Sequence, residues 1–291
     1  PTKVLEIGSN DGVFIKNFDS NDTIAVEPCS NFAEITNDKG YHTYPEFWTT
    51  ALSSQILEDH GKQDLIFSAN CMCHIQDLDD AFTAIKALLS DDGVFVFEDP
   101  ALDKMIERNS YDQIYDEHAH IFSVTALKNI LNNNGLDIFR VDNLSVHGGT
   151  NRLYVKHKNN NKFSIQTSVD LNLQREQELG LKKYSTYIKF AEKVKQSKSD
   201  LVNLLDTLKK QGKKIVSYGA TSKSTTVFNY CGITTDQIDY IVDTTPHKQG
   251  KLSPGTHIPV VSPETGFNDS VDVAFLGAWN FEDEILSKES N

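Results

Sequence analysis

Val4-Leu5-Glu6-Ile7-Gly8-Ser9-Asn10-Asp11-Gly12 joins an apolar run to a turn bounded by two glycines, near the start of a chain of 291 residues. An apolar run followed by such a turn predicts a strand, a tight turn and a helix, which leaves backbone N–H groups aimed at whatever occupies the turn. Gly8 and Gly12 remove Cβ where a ligand must come close. The spacing separates ligand classes. A dinucleotide fold would carry G-x-G-x-x-G with pyrophosphate on the helix N-terminus, whereas this turn reads Glu6-x-Gly8-x-x-x-Gly12 with Asn10 and Asp11 inside it. Asp11 would repel a diphosphate. The pattern suits a cofactor that lacks phosphate and carries positive charge, and S-adenosylmethionine, a sulfonium bearing an amino acid, has that chemistry.

Outward from the turn, Thr23-Ile24-Ala25-Val26-Glu27-Pro28 reads as a second strand. It ends in a carboxylate roughly 20 residues after the glycines, where such folds catch ribose hydroxyls, so Glu27 is the expected acceptor. Apolar runs at 65–68, 94–97, 138–141 and 153–155 alternate with helical patterns. That alternation predicts a mostly parallel α/β sheet wrapped by helices over residues 1–157. A polar stretch at about 169–211, rich in Lys, Gln and Glu, has long helical periodicity, and residues 158–211 are expected to link or brace two domains. Lys214-Ile215-Val216-Ser217-Tyr218-Gly219-Ala220-Thr221-Ser222-Lys223 restarts the alternation, with strands expected at 238–242 and 271–276. Residues 212–291 therefore form the expected second, smaller α/β domain.

Composition sets the partner class. Lys and Arg total 28 against 41 Asp and Glu, a net charge of −13, which argues against nucleic acid or an anionic membrane as partner while allowing one anionic substrate in a locally basic pocket. No apolar run approaches the ~20 residues that cross a bilayer, and no signal-peptide pattern appears. Cys29, Cys71, Cys73 and Cys231 form no evident disulfide framework, and a cytoplasmic, reduced setting is the simplest expectation. Pro1-Thr2 leads straight into a strand without an initiator Met, as expected of a fragment.

In open α/β sheets ligands sit beyond the carboxyl ends of the strands. After the third strand comes Ala69-Asn70-Cys71-Met72-Cys73-His74. Its C-x-C-H lacks the second pair that structural zinc sites use, so Asn70 reads as a cofactor neighbour and the cysteines as small packing residues. Pro100 is expected to stop the fourth strand, leaving Glu98 to face substrate or water. Tyr111-Asp112-Gln113-Ile114-Tyr115-Asp116-Glu117-His118-Ala119-His120 is the most reactive cluster, because carboxylates beside imidazoles can fix a tautomer and keep it basic near neutral pH. A solvated loop, or a divalent-metal site of Glu117, His118 and His120, is the competing reading. Val146-His147-Gly148-Gly149-Thr150-Asn151-Arg152 adds a paired-glycine turn and a guanidinium, which either engages phosphate or carboxylate bidentately or lies on the surface. The Gly219 turn with Lys223 is not a Walker motif. It either holds a diphosphate at a helix start or is structural.

These motifs in order resemble the sugar-nucleotide C-methyltransferases, which methylate a ring carbon of dTDP-linked keto-deoxysugars. The resemblance rests on residues 5–12, on Ile114-Tyr115-Asp116-Glu117-His118 with Phe122-Ser123, and on His147-Gly148-Gly149-Thr150-x-Arg152. It continues through Tyr218-Gly219-Ala220-x-x-Lys223, Asn229-Tyr230-Cys231-Gly232-Ile233, Lys248-Gln249-Gly250, Pro254-Gly255-Thr256-His257-Ile258-Pro259 and Ala278-Trp279-Asn280-Phe281 with Glu284-Ile285, so it covers nearly the whole chain. It implies a Rossmann-like class I S-adenosylmethionine domain followed by the smaller α/β domain, with a nucleotide sugar held between them. It also implies an N-terminal zinc-binding domain and a C-terminal tail outside this chain, so zinc is expected only there and no metal here. Ala119, His120 and Ile121 stand where the family usually has aromatic residues after the Glu-His pair, a departure that bears on which sugar is used.

Given a keto sugar, proton removal next to the ketone makes carbon nucleophilic. His118 is the expected base, Glu117 orients its ring, and Tyr115 donates to the enolate oxygen. Glu6, Gly8, Asn10, Asp11, Gly12, Glu27 and Asn70 are the expected cofactor contacts, and Gly149, Arg152 and Lys223 the expected substrate contacts. A monomer or weak homo-oligomer is expected. A small-molecule O- or N-methyltransferase and a noncatalytic, nucleotide-sensing pseudoenzyme are the alternative readings.

Overall fold

Seven strands carry the first half of the chain in a computed structural model, which describes residues 3–268 and 270–289. In chain order the elements are β1 (Val4–Ile7), β2 (Thr23–Val26), α1 (Ser30–Asp38), β3 (His42–Tyr44), α2 (Thr50–His60), β4 (Gln63–Ala69), α3 (Leu78–Leu88), β5 (Leu89–Pro100), α4 (Leu102–Arg108), α5 (Val124–Asn133), β6 (Leu136–Leu144), β7 (Thr150–His157) and α6 (Thr167–Leu179). The sheet order is β3-β2-β1-β4-β5-β7-β6. Its first five strands run parallel, and β7 runs antiparallel to both neighbours. The mostly parallel α/β sheet is thus present.

Val4, Leu5 and Ile7 of β1 are buried on both faces of the sheet, as a central parallel strand requires. Leu5, Ile66, Phe82, Ile85, Phe95 and Phe97 belong to one continuous core. Helix α6 is fastened to this core by a buried carboxylate, since Glu176 accepts the first free N–H groups of α5 from Val124 and Thr125 at 2.6 and 2.8 Å.

Two departures from the sequence reading have local causes. Strand β5 runs on past residue 97 and ends at Pro100, paired across from Thr150; proline lacks the N–H that would continue the ladder. The three-residue β3 is too short to announce itself by alternation.

The chain packs as two compact units, Pro1–Lys104 with Glu117–Lys182 and Met105–Asp116 with Lys183–Asn291. The long helical stretch is divided between them, because Gly180, at φ +70°, ends α6 in the left-handed conformation. In the second unit α7 (Tyr184–Lys210) precedes β8 (Ile215–Tyr218), α8 (Ser222–Cys231), β9 (Tyr240–Val242), β10 (Val260–Val261), α9 (Pro263–Gly266), β11 (Val273–Leu276) and α10 (Glu282–Glu289). Its four strands form a parallel sheet in the order β10-β9-β8-β11 over a separate core containing Ile215, Phe228 and Ile241. Among the described residues no helix is long and apolar enough to cross a membrane.

Candidate active site

The carboxyl ends of β1, β2 and β4 open onto a cavity of about 810 Å³ in the first unit. Gly8 follows β1 and donates its N–H to Val26 at the end of β2, 2.8 Å away. Its φ of +78° suits glycine, and a Cβ there would stand 2.9 Å from Cys71 Sγ. Asn10, at φ +47°, turns its N–H onto Glu27 Oε2 at 2.9 Å, while Cys29 donates to Oε1 at 2.9 Å. Asn70 also takes a left-handed conformation, φ +50°, and its side-chain Nδ2 lies 3.4 Å from His147 Nε2. Gly8, Asn10, Glu27 and Asn70 all line this cavity.

Glu6 and Asp11 line an adjoining cavity of about 680 Å³ that shares Gly8 and Asn10 with the first. Glu6 is buried, and its Oε2 has no hydrogen-bond partner among the described residues. Burial, with smaller contributions from the Glu27 and Asp11 charges, pushes its carboxyl up to about 8 against a lowering hydrogen bond from the Ile15 backbone. Gly12 lines neither cavity; at φ +86° it closes the turn against Ile15 and Thr36. A buried carboxylate with a vacant lone pair, a second carboxylate at the end of β2 and a glycine held against Cys71 fit a nucleoside that carries a cationic centre.

The histidine motif reaches the same cavity. His74 and Glu117 both line it, and the His74 Nδ1 lies 2.6 Å from the Glu117 carbonyl oxygen. His120 donates its N–H to the Cys73 carbonyl at 3.0 Å. The Glu117 side chain is exposed, His118 is half-buried, and the His118 ring centroid is 5.1 Å from that of His74. Phe47 and Trp48, between β3 and α2, also line the cavity; sequence reading missed them because the strand that positions them is so short.

The expected substrate contacts are spread wider. Arg152 stands opposite Glu98 across β7 and β5 and binds its Oε1 at 2.6 Å. Gly149 is buried at φ +123°, with a Cβ position only 2.6 Å from Lys104 Cγ, and its N–H and carbonyl bond to Val146 and Ala101.

Tyr115 and Lys223 both belong to the second unit. Lys223 is 9% exposed in the first turn of α8, with its Nζ 6.0 Å from the Tyr115 ring centroid. Burial lowers its pKa, partly offset by the Asp112 carboxylate. Asp112 is itself buried, which raises its pKa despite the Trp279 Nε1 that donates to it at 2.7 Å.

Comparison with known proteins adds the family. Residues 145–291 match the C-methyltransferase C-terminal domain, and residues 1–141 match a methyltransferase domain. The chain is 31% identical over 288 residues to C-methyltransferase NovU of Streptomyces niveus, an alignment spanning 98% of this chain and 68% of that protein. Among solved structures, an S-adenosylmethionine-dependent methyltransferase from Clostridium acetobutylicum aligns with TM-score 0.42 and 17% identity, over 53% of this chain and 83% of its own. One from Mesorhizobium loti aligns with TM-score 0.42 and 12% identity, over 54% and 91%. On the two domain matches and the NovU alignment, the chain belongs to the C-methyltransferase family and is an S-adenosylmethionine-dependent methyltransferase.

Proposed function

We propose that this enzyme methylates a ring carbon of a nucleotide-linked, dTDP-type keto-deoxysugar. The observation that carries the reading is that Glu117, adjacent to His118, lines the same cavity as Gly8, Glu27 and Asn70. A base next to the cofactor cavity is what C-methylation needs, because a carbon becomes nucleophilic only after losing a proton.

In this reading His118 takes the proton from the carbon beside the ketone, and the electron pair spreads onto oxygen as an enolate. Glu117 holds the imidazole basic, and Tyr115 donates its hydroxyl hydrogen to the developing oxyanion. S-adenosylmethionine, when bound, supplies a sulfonium methyl for that carbon. Glu6, Asn10, Asp11 and Glu27 present carboxylate and amide groups to a cationic nucleoside, and Gly8, Gly12 and Asn70 shape the turns around it. Lys223, in the first turn of α8, is the proposed partner of the substrate's negative charge. Gly149 shapes the turn before Arg152, whose guanidinium must be shared between Glu98 and a phosphate.

The test has two stages. Calorimetric titration with S-adenosylhomocysteine should saturate, with NADH as a silent control. A dTDP-linked keto sugar in heavy water should then exchange its α-proton in the presence of enzyme, and His118→Ala should slow exchange by about 100-fold or more while leaving S-adenosylhomocysteine affinity nearly unchanged. Methylation without α-proton exchange in the wild type would instead favour O- or N-transfer.

A further inference from the structure

We infer that Cys73, His74 and His118 form a binding site for one soft divalent metal ion of the zinc class. One ligand atom from each of the three lies within 4.8 Å of the others. A tetrahedral ion with sulfur at ~2.3 Å and imidazole nitrogen at ~2.0–2.1 Å sets its ligand atoms about 3.3–3.7 Å apart. Modest side-chain rotation of the exposed His74 and half-buried His118 closes that difference.

The surroundings orient His74 as a metal-bound histidine is oriented. The His74 Nδ1, 2.6 Å from the Glu117 carbonyl, acts as donor and leaves the Nε2 lone pair for the ion, the arrangement usual among metal-bound histidines. Cys73 donates its backbone N–H to Asp99 Oδ1 at 3.3 Å, and the buried Oδ2 of Asp99 has no hydrogen-bond partner among the described residues. Cys71, the other cysteine of the C-x-C-H run, is turned away against the Gly8 turn. The third ligand therefore comes from a separate loop, which sequence spacing could not reveal.

On binding, the thiol S–H bond breaks, a sulfur–metal bond forms and the proton passes to solvent; no electron is transferred. Three protein ligands leave a fourth position for water. Because the ion takes the His118 lone pair, occupancy blocks proton abstraction, a consequence that rests on the proposed role of His118, whereas the site does not.

Titration of the 291-residue chain with Co²⁺ tests the site. One equivalent should bind with a thiolate-to-cobalt charge-transfer band, displaced by one equivalent of Zn²⁺. Cys73→Ser should abolish the band, and His74→Ala, at an exposed position that spares the core, should weaken Co²⁺ binding at least tenfold. Absence of the band in the wild type, its survival in Cys73→Ser, or unchanged affinity in His74→Ala overturns the site. Methyl transfer followed in parallel separates the two readings: a normal band with activity indifferent to Zn²⁺ leaves the site standing and removes His118 as base.

Discussion

Asn10 gives its main-chain N–H to Glu27 Oε2 at 2.9 Å, so the turn after β1 is tied to the end of β2 through a side chain that lines the cavity at the carboxyl ends of the strands. With Cys29 on Oε1, both oxygens of a buried carboxylate are satisfied by backbone donors. The same residue thus shapes the turn and presents its remaining lone pairs to the cavity.

Glu27→Ala should therefore injure both. Two backbone N–H groups of exposed residues lose their acceptor, at about 0.5–1.5 kcal/mol each, and S-adenosylhomocysteine affinity should fall at least tenfold. Glu27→Gln keeps one acceptor oxygen and should lie between. Urea denaturation and calorimetry on the same preparations check this. An alanine variant with wild-type affinity would mean that Glu27 serves the turn alone.

The first unit was legible because its strands announce themselves: 4–7, 65–68 and 94–97 are mostly apolar runs, with 94–97 continuously so, and the glycines of residues 8–12 punctuate the first. The cavity floor was legible for the same reason, since Gly8, Glu27 and Asn70 each follow a strand end. What joins the histidine motif to that cavity was not. The His74–Glu117 bond spans 43 residues and uses a main-chain oxygen, which carries no side-chain signature. Arg152 illustrates the converse. Its chemistry is visible in sequence, but its pairing with Glu98 depends on β5–β7 register, which an isolated strand pattern does not give.

Gly8→Ala should be costly for two separable reasons. At φ +78° a Cβ is strained, and it would meet Cys71 Sγ at 2.9 Å and Cys71 Cβ at 3.0 Å. Backbone strain of this kind costs ~1–3 kcal/mol. Adding Cys71→Ala removes the sulfur contact while leaving the φ penalty, so the double variant should recover part of the stability loss and only part of the S-adenosylhomocysteine binding. Strict additivity of the two substitutions would show that the sulfur contact is irrelevant.

Lys223 buries an ammonium in the first turn of α8, where the helix dipole is unfavourable to a cation, with Asp112 as the nearby carboxylate that supports its charge. An anionic substrate would relieve that cost. Lys223→Met should raise KM for the nucleotide sugar about tenfold, roughly 1.4 kcal/mol, without moving S-adenosylhomocysteine affinity. Removing the cation should also push the Asp112 carboxyl further up. Unchanged KM would make Lys223 a partner of Asp112 and Tyr115 and nothing more.

Glu6 makes stability depend on pH in a direction that can be worked out in advance. Its carboxyl is raised from 4.5 to about 8 by burial, so the folded chain binds this proton more tightly than the unfolded one. The stability it contributes is complete below the unfolded value and is lost as pH rises through the folded value, a window from about pH 4.5 to 8. Asp99, raised to about 7 by burial, acts with the same sign in an overlapping window. The useful quantity is therefore the difference between wild type and Glu6→Gln, whose neutral amide cannot ionise. Urea midpoints measured across that window should show Glu6→Gln gaining on the wild type as pH rises, by a few kcal/mol at most, because each tenfold change in proton affinity is worth ~1.4 kcal/mol. A cationic ligand should oppose the trend, because it favours the ionised carboxylate and releases the proton on binding, which calorimetry in buffers of different ionisation enthalpy detects. Parallel pH profiles for the two proteins would mean that Glu6 is already ionised in the folded state.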